Sequence, residues 1–378
     1  MVFKKRTEMK EIRIIVSGGG TGGHIFPAIS IANALKAKEP KRMKILFVGA
    51  EGRMEMERVP AAGYKIIGLP IRGFDRTHLL KNIKTLFMAF KSILKARKII
   101  KDFKPHVAVG VGGYASGPLL KAASTKGVPT VIQEQNSYAG VTNKLLAGKA
   151  SKICVAYSGM DRFFPLEKLI LTGNPVRQSL LNKGDFKEEA YRHFKLDANR
   201  KTLLVMGGSL GARTLNESMM NHLSAIEHSD IQVLWQTGNY YYQSILERLG
   251  PATLKNVHVL KFLDRMDLAY AISDLVVSRA GASSISELCI LQKAVILVPS
   301  PNVAEDHQTK NAMALVNEHA AVMITDANAS EALIPEALKL IHREDALAAL
   351  RQNILILAQR DSAERIADEI LKLVNENV

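Results

Sequence analysis

The stretch Ser17-Gly18-Gly19-Gly20-Thr21-Gly22-Gly23-His24-Ile25-Phe26-Pro27 narrows what this chain can fold into. It follows an apolar run, Ile12 to Val16, and leads into a helical pattern with Ile25, Ile29 and Ala32 on one face. Strand, glycine-rich turn, helix start is an anion site made from backbone. Glycines let main-chain N–H groups approach a phosphate closely, and a helix N-terminus favours negative charge. The spacing does not fit G-x-G-x-x-G, and a histidine stands at the helix entrance, which brings titratable chemistry to the same place. A tight strand–helix turn with an incidental histidine is the plainer reading of the same residues.

The rest of the chain repeats this grammar. Apolar strand patterns over 13–17, 44–48, 65–69, 106–111, 130–133, 152–156 and 169–172 alternate with helical patterns. A second set follows at 202–206, 231–236, 257–262, 275–278, 294–298 and 321–324. Such alternation predicts an α/β fold with parallel sheets covered on both faces. Helices are expected at 54–62, 117–126, 214–226, 284–291, 308–318 and 364–375. The strand Thr202–Met206 and the loop Gly207-Gly208-Ser209-Leu210-Gly211-Ala212 echo the opening design, one glycine loop per half. The turn signal Gly173-Asn174-Pro175-Val176-Arg177 places a boundary there, giving domains 1–177 and 178–359. A break at Asp361-Ser362 lets the last helix, about 360–378, return to the first domain. Two doubly wound domains whose strand C-termini face each other enclose a cleft.

Charge and cysteines bound the partners. The net charge is +15, and over half of it falls between Arg72 and Lys104, where ten Lys/Arg stand against two Asp. Leu79, Leu80, Phe87 and Phe90 interleave with Lys81, Lys84 and Lys91 in that segment. A basic amphipathic helix of this kind fits an anionic membrane surface; a solvated helix face over a core is the alternative. No helix-turn-helix, finger or stacking-platform signature is present, so nucleic acid is not an expected partner. The two cysteines, Cys154 and Cys289, give no disulfide framework or zinc spacing, which points to a reducing cytoplasm. No uncharged stretch is long enough to span a bilayer, and the basic N-terminus precedes a strand, not a signal-peptide core.

A third glycine signal, Arg279-Ala280-Gly281-Ala282-Ser283-Ser284-Ile285-Ser286-Glu287, again follows a strand and opens a helix. Ser284 and Glu287 satisfy the S-x-x-E capping-box pattern, which offers both a structural role. The other reading makes Glu287 a carboxylate that accepts two hydrogen bonds from a ribose diol. The polar run Asp306-His307-Gln308 follows a buried strand and belongs at a strand C-terminus, on the binding side of such a sheet.

Taken in order, these blocks together with Gly112-Gly113-Tyr114-Ala115-Ser116-Gly117-Pro118 and Glu134-Gln135-Asn136 resemble the MurG family, the peptidoglycan N-acetylglucosaminyltransferases. The resemblance runs from residue 12 to about 320. It implies a GT-B type fold of two Rossmann-like, doubly wound domains. It also implies transfer of GlcNAc from UDP-GlcNAc to the 4-hydroxyl of MurNAc in undecaprenyl-diphosphoryl-MurNAc-pentapeptide, with inversion. By the same resemblance the first domain takes the acceptor and the membrane, with Tyr114 on the acceptor side, and the second takes the donor. Donor contacts map to Thr21, Gly22, Gly23, Asn136, Arg177, Ser209, Leu263, Ala282, Ser283, Ser284, Ile285, Ser286, Glu287 and Gln308. Gln133 stands where some members carry histidine.

Inversion needs a base near the acceptor hydroxyl and donors near the departing diphosphate. His24, with an ordinary pKa near ~6.5, suits proton removal at neutral pH. Glu134 is the rival base, or the group that orients the acceptor. Helix N-termini and loop amides can meet the leaving-group charge. No D-x-D pair is present, so no metal or other cofactor is expected. The lipid tail of the acceptor implies a peripheral position on the cytoplasmic face of the cell membrane. A UDP-sugar epimerase on the same fold would need no lipid surface, and a non-catalytic scaffold would not need His24, Glu134, Asn136, Glu287 and Gln308. An NAD-dependent oxidoreductase lacks its acidic residue at the end of the second strand, where Glu51 is a weak candidate.

Overall fold

The computed structural model describes residues 11–73, 82–177, 180–181, 184–251, 254–303 and 306–376. Leu79, Leu80 and Lys81 lie outside these residues, as does the side chain of Lys84. The chain divides into two compact units, Met1–Arg177 with Arg360–Val378, and Gln178–Gln359.

The first unit is built on seven strands: β1 (Ile12–Ser17), β2 (Met43–Ala50), β3 (Lys65–Leu69), β4 (Val107–Gly110), β5 (Thr130–Glu134), β6 (Lys152–Val155) and β7 (Leu169–Leu171). All pair in parallel, in the order β3-β2-β1-β4-β5-β6-β7. Successive strand residues serve opposite faces. Ile14 and Val16 join the helix Gly22–Lys38 and the C-terminal helix Ser362–Glu376 in one core. Ile15 and Ala108 join the helices Asn82–Phe103, Ser116–Thr125 and Val141–Ala147 in the other. Both faces are therefore dry, which is why these strands read as nearly continuous apolar runs. The C-terminal helix buries Ile366, Ile370 and Leu373 on the first sheet, and Lys38 meets Asp368 at 2.8 Å. Asp361, at a φ of 57°, breaks the chain one residue before that helix begins.

The second unit repeats the pattern with β8 (Thr202–Met206), β9 (Gln232–Gln236), β10 (Val257–Leu260), β11 (Leu275–Ser278), β12 (Val295–Leu297) and β13 (Val322–Met323). Their order, β10-β9-β8-β11-β12-β13, is that of a Rossmann sheet. Trp235 is fully buried between sheet and helix, with its indole N–H donating to Asn216 at 2.9 Å. The helix expected over 214–226 is two, Arg213–Asn221 and Leu223–Glu227, interrupted at His222.

In each sheet the strand order reverses between two neighbours, β1 and β4 in the first and β8 and β11 in the second. Ser17 lies opposite Gly110, and Met206 opposite Ser278, so each pair of strands ends level. All the glycine signals of the sequence except Gly173 leave from these four ends. A crevice outside the carboxyl ends at such a reversal is where open α/β sheets bind ligands.

Candidate active site

In the first unit two glycine loops pack backbone to backbone. A Cβ on Gly113 would lie 2.3 Å from the carbonyl oxygen of Gly19, and Gly113 has a φ of 87°, so only glycine fits. A Cβ on Gly112 would lie 2.6 Å from Nε2 of His24, so the imidazole lies against bare backbone. Thr21 is the N-cap of the helix Gly22–Lys38 but makes no side-chain cap. Its hydroxyl is diverted to Nδ1 of His24, 3.0 Å away. In the tautomer whose Nδ1–H donates to the Thr21 oxygen, the lone pair of the ring sits on Nε2. His24 is half-buried, Gly22 and Gly23 begin its helix, and the Arg177 guanidinium lies over the ring of Phe26 at 5.5 Å. Thr21, Gly22, Gly23, His24 and Arg177 thus share one end of one sheet. Tyr114 is exposed beside them, its ring crossing Gly73.

Glu134 is placed differently from a free base. It is buried at the end of β5, and its carboxylate accepts from the Asn136 N–H (3.1 Å), Asn136 Nδ2 (3.2 Å), Gly140 N–H (3.0 Å) and Asn143 Nδ2 (2.8 Å). Four donors saturate the two oxygens and fix the loop that presents Asn136. Beneath it runs an amide network. Gln133 donates to Asn174 at 2.9 Å, Asn174 donates to the Gln135 carbonyl at 3.0 Å, and Gln135 donates to Gln133 and to the Val111 carbonyl. This ties the Gly173-Asn174 block to the ends of β4 and β5, and gives Gln133 a structural use.

The second unit holds the remaining residues. Ser209 and Leu210 are exposed in the loop after β8. The capping box is not formed. The helix Ala282–Ile290 begins two residues before Ser284, with Gly281 as N-cap and no side-chain cap. Glu287 therefore sits in its second turn, buried, where the Tyr270 hydroxyl donates to Oε2 at 3.2 Å. Ala282, Ser283 and Ser284 occupy its first turn, half-buried, while Ile285 is core and Ser286 bonds back to the Ala282 carbonyl at 3.0 Å. The Leu263 side chain is core, which leaves only its backbone to face a ligand. Gln308 accepts the Ser300 N–H at 2.8 Å, and Asn311 on the same helix donates to the Ala280 carbonyl at 3.3 Å.

Three comparisons with known proteins bear on these sites. A model of the glycosyltransferase family 28 N-terminal domain matches residues 14–155, and one of the family 28 C-terminal domain matches residues 202–370. A relative from Parabacteroides distasonis is 61% identical over 368 residues, covering 97% of this chain and 100% of its own. One from Cytophaga hutchinsonii is 54% identical, covering 97% and 98%. Both are named UDP-N-acetylglucosamine--N-acetylmuramyl-(pentapeptide) pyrophosphoryl-undecaprenol N-acetylglucosamine transferase. This chain belongs to glycosyltransferase family 28. Among solved structures, MurG of Acinetobacter baumannii aligns with a TM-score of 0.74 at 27% identity, covering 96% of this chain and 99% of that one. A UDP-GlcNAc 2-epimerase from Neisseria meningitidis aligns at 0.67 and 15% identity, covering 96% and 100%, a likeness of fold alone. The architecture of the family 28 chain is that of the GT-B type, two doubly wound α/β domains.

Two acidic residues packed beside these strand ends carried no sequence signal. Glu55 is fully buried beneath the first glycine loop. Asp326 pairs with Arg279 and accepts the Thr214 hydroxyl at 3.0 Å, while Arg279 donates to the Val298 and Pro299 carbonyls. That network joins the ends of β11 and β12 to the helix after the second glycine loop. Nothing in a lone acidic residue at a helix start marks such a role. Among the described residues, no group of three or more His, Cys, Asp or Glu is placed to hold a metal ion.

Proposed function

We propose that this chain transfers GlcNAc from UDP-GlcNAc to the 4-hydroxyl of MurNAc in undecaprenyl-diphosphoryl-MurNAc-pentapeptide, inverting the anomeric centre. Relatives named for this transfer match nearly the whole chain, at 53% to 61% identity. The observation that carries the mechanism is the Thr21–His24 pair at the β1/β4 reversal. Nε2 of His24 takes the acceptor proton as the 4-oxygen attacks C1 of GlcNAc. The C1–oxygen bond to UDP breaks, and the diphosphate leaves with the electron pair. Glu134, saturated by four donors, positions the Asn136 loop and is not the base. Glu287 takes the ribose, Ser209 and the loop amides take the diphosphate, the backbone at Leu263 takes uracil, and Asn136 and Gln308 take sugar hydroxyls. Arg177, Thr21, Gly22, Gly23 and residues 282–286 complete the donor surroundings, and Tyr114 lies on the acceptor side.

The test is a transfer assay with UDP-GlcNAc and a soluble short-chain acceptor. UDP release only with both present supports the reading; turnover of UDP-GlcNAc alone would turn it toward an epimerase.

The same reading places the protein peripherally on the cytoplasmic face of the cell membrane. No described helix is long and apolar enough to cross a membrane. On the helix Asn82–Phe103, Phe87, Phe90 and Leu94 are exposed at i, i+3 and i+7, so the core does not claim them. Lys91, Lys95, Arg97, Lys98 and Lys101 are exposed around them. Each cation near an anionic surface is worth about 1 kcal/mol, and the apolar groups can insert shallowly. Binding to anionic vesicles that weakens with salt, and falls in a Phe87→Ser, Phe90→Ser variant, is the expected result. Equal binding to neutral vesicles would contradict it.

A further inference from the structure

We propose that Glu55 is a positioning residue that clamps the first glycine loop in the conformation presenting His24; this rests on the reading of His24 as base. Glu55 stands in the first turn of the helix Glu55–Ala61, where the helix N-terminus favours a carboxylate, and it is 1% exposed. Its Oε2 accepts the Gly20 N–H and its Oε1 accepts the Ala50 N–H, both at 2.9 Å. The carboxylate thus bridges the end of β2 to the loop after β1.

Two glycines exist to let it in. A Cβ on Gly19 would lie 2.2 Å from Oε1, and one on Gly49 would lie 2.5 Å from Cγ of Glu55. The fit is therefore specific on both sides of the side chain. What it restrains is a run of glycines whose backbone is otherwise permissive, with Gly20 at a φ of 86°. Holding the Gly20 amide sets the peptide plane that leads directly into Thr21, and the Thr21 hydroxyl sets the His24 ring. The chain of contacts runs Glu55, Gly20, Thr21, His24. The clamp is made of charge-assisted hydrogen bonds, about twice as strong as neutral ones.

Glutamine tests this well. It keeps the shape, but its amide NH2 confronts one of the two N–H groups that the carboxylate accepts. E55Q should lower kcat on the soluble acceptor at least tenfold, while calorimetric affinity for UDP, whose uracil, ribose and diphosphate are assigned to the second unit, stays within twofold. In an H24A background E55Q should add less than a further twofold, because its effect passes through His24. If E55Q does not accumulate as folded protein, E55D serves. It keeps the charge one methylene short and should recover part of the kcat that E55A loses. Wild-type kcat in E55Q, a loss that multiplies with that of H24A, or a matching loss of UDP affinity would overturn the proposal. H24A turning over at the wild-type rate while E55Q stays slow would fail the base assignment and leave the clamp standing.

Discussion

The loop after β1 and the loop after β8 hold the same place in the same strand order, yet their surroundings differ in charge. The first rests on a buried carboxylate. Glu55 fills the space beside Gly19 and takes the Gly20 amide, so that amide is spent and the ground beneath it is negative. The second has no such tenant. Its internal bonds consume carbonyls: Gly211 N–H and Gln236 Nε2 donate to Gly208, at 2.9 and 2.8 Å, and Asn239 N–H donates to Ser209 at 3.1 Å. Among the described residues, the amides of Gly208, Ser209 and Leu210 are not given to other protein groups. Unspent amides at a loop before a helix are an anion site, and among the described residues the first loop keeps some too, at Gly19, Thr21 and Gly22; what sets it apart is the buried carboxylate and the histidine beside it. The lesson is that two glycine loops of one fold need not bind the same group. On the proposed function the second loop takes the diphosphate, while the first carries the base that meets the acceptor.

The largest effect that can break this division is chemical. His24→Ala should lower kcat by about 10²–10⁴, the range for a lost general base, with UDP affinity unchanged. Nearly wild-type turnover would take the proton chemistry away from the first loop. The next effect concerns binding. Glu287→Ala should weaken UDP by roughly 1.5–3 kcal/mol, the scale of hydrogen bonds to a charged group. Calorimetry with the fold intact reads it directly, and unchanged affinity would reduce Glu287 to the partner of Tyr270.

The sheets were legible because their strands are dry on both faces. Residues such as Ile14, Ile15 and Val16 leave no helix-like gap, and each predicted strand forms within a few residues of its expected bounds. Helix starts were less legible. Ser284 and Glu287 have capping-box spacing, yet Gly281 caps the helix and the carboxylate turns inward to Tyr270. The motif cannot say which residue begins the helix. The break at His222 left no mark either, since Arg213 to Glu227 carries one helical pattern throughout. At the site, the glycines and His24 announce themselves by type and order. Glu55 does not, because it lies among Glu51, Arg53, Glu57 and Arg58 and reads as part of a solvated helix. Only the parallel register of β1 and β2 brings its helix under Gly19. The Gln133–Asn174–Gln135 network was hidden for the same reason, its members lying in two segments 39 to 41 residues apart.

The smallest effect sharpens the comparison without altering either loop. Each unit carries one buried free thiol, Cys154 in β6 and Cys289 in the helix that bears Glu287. Burial pushes both thiols up to about 12, so neither reacts in place, and labelling must pass through local opening of its own unit. The opened thiol has its ordinary pKa near ~8.5, so the labelling rate should follow that value with pH. A ligand held by one unit stabilises that unit against opening by RT ln(1 + [L]/Kd), about 1.4 kcal/mol at ten times Kd. UDP at that concentration should slow labelling of Cys289 about tenfold and leave Cys154 unchanged. Mass spectrometry of the two labelled peptides separates the rates in one sample. Equal slowing of both thiols would mean that UDP is gripped by the first unit as strongly as by the second, and the division between the two loops would fall.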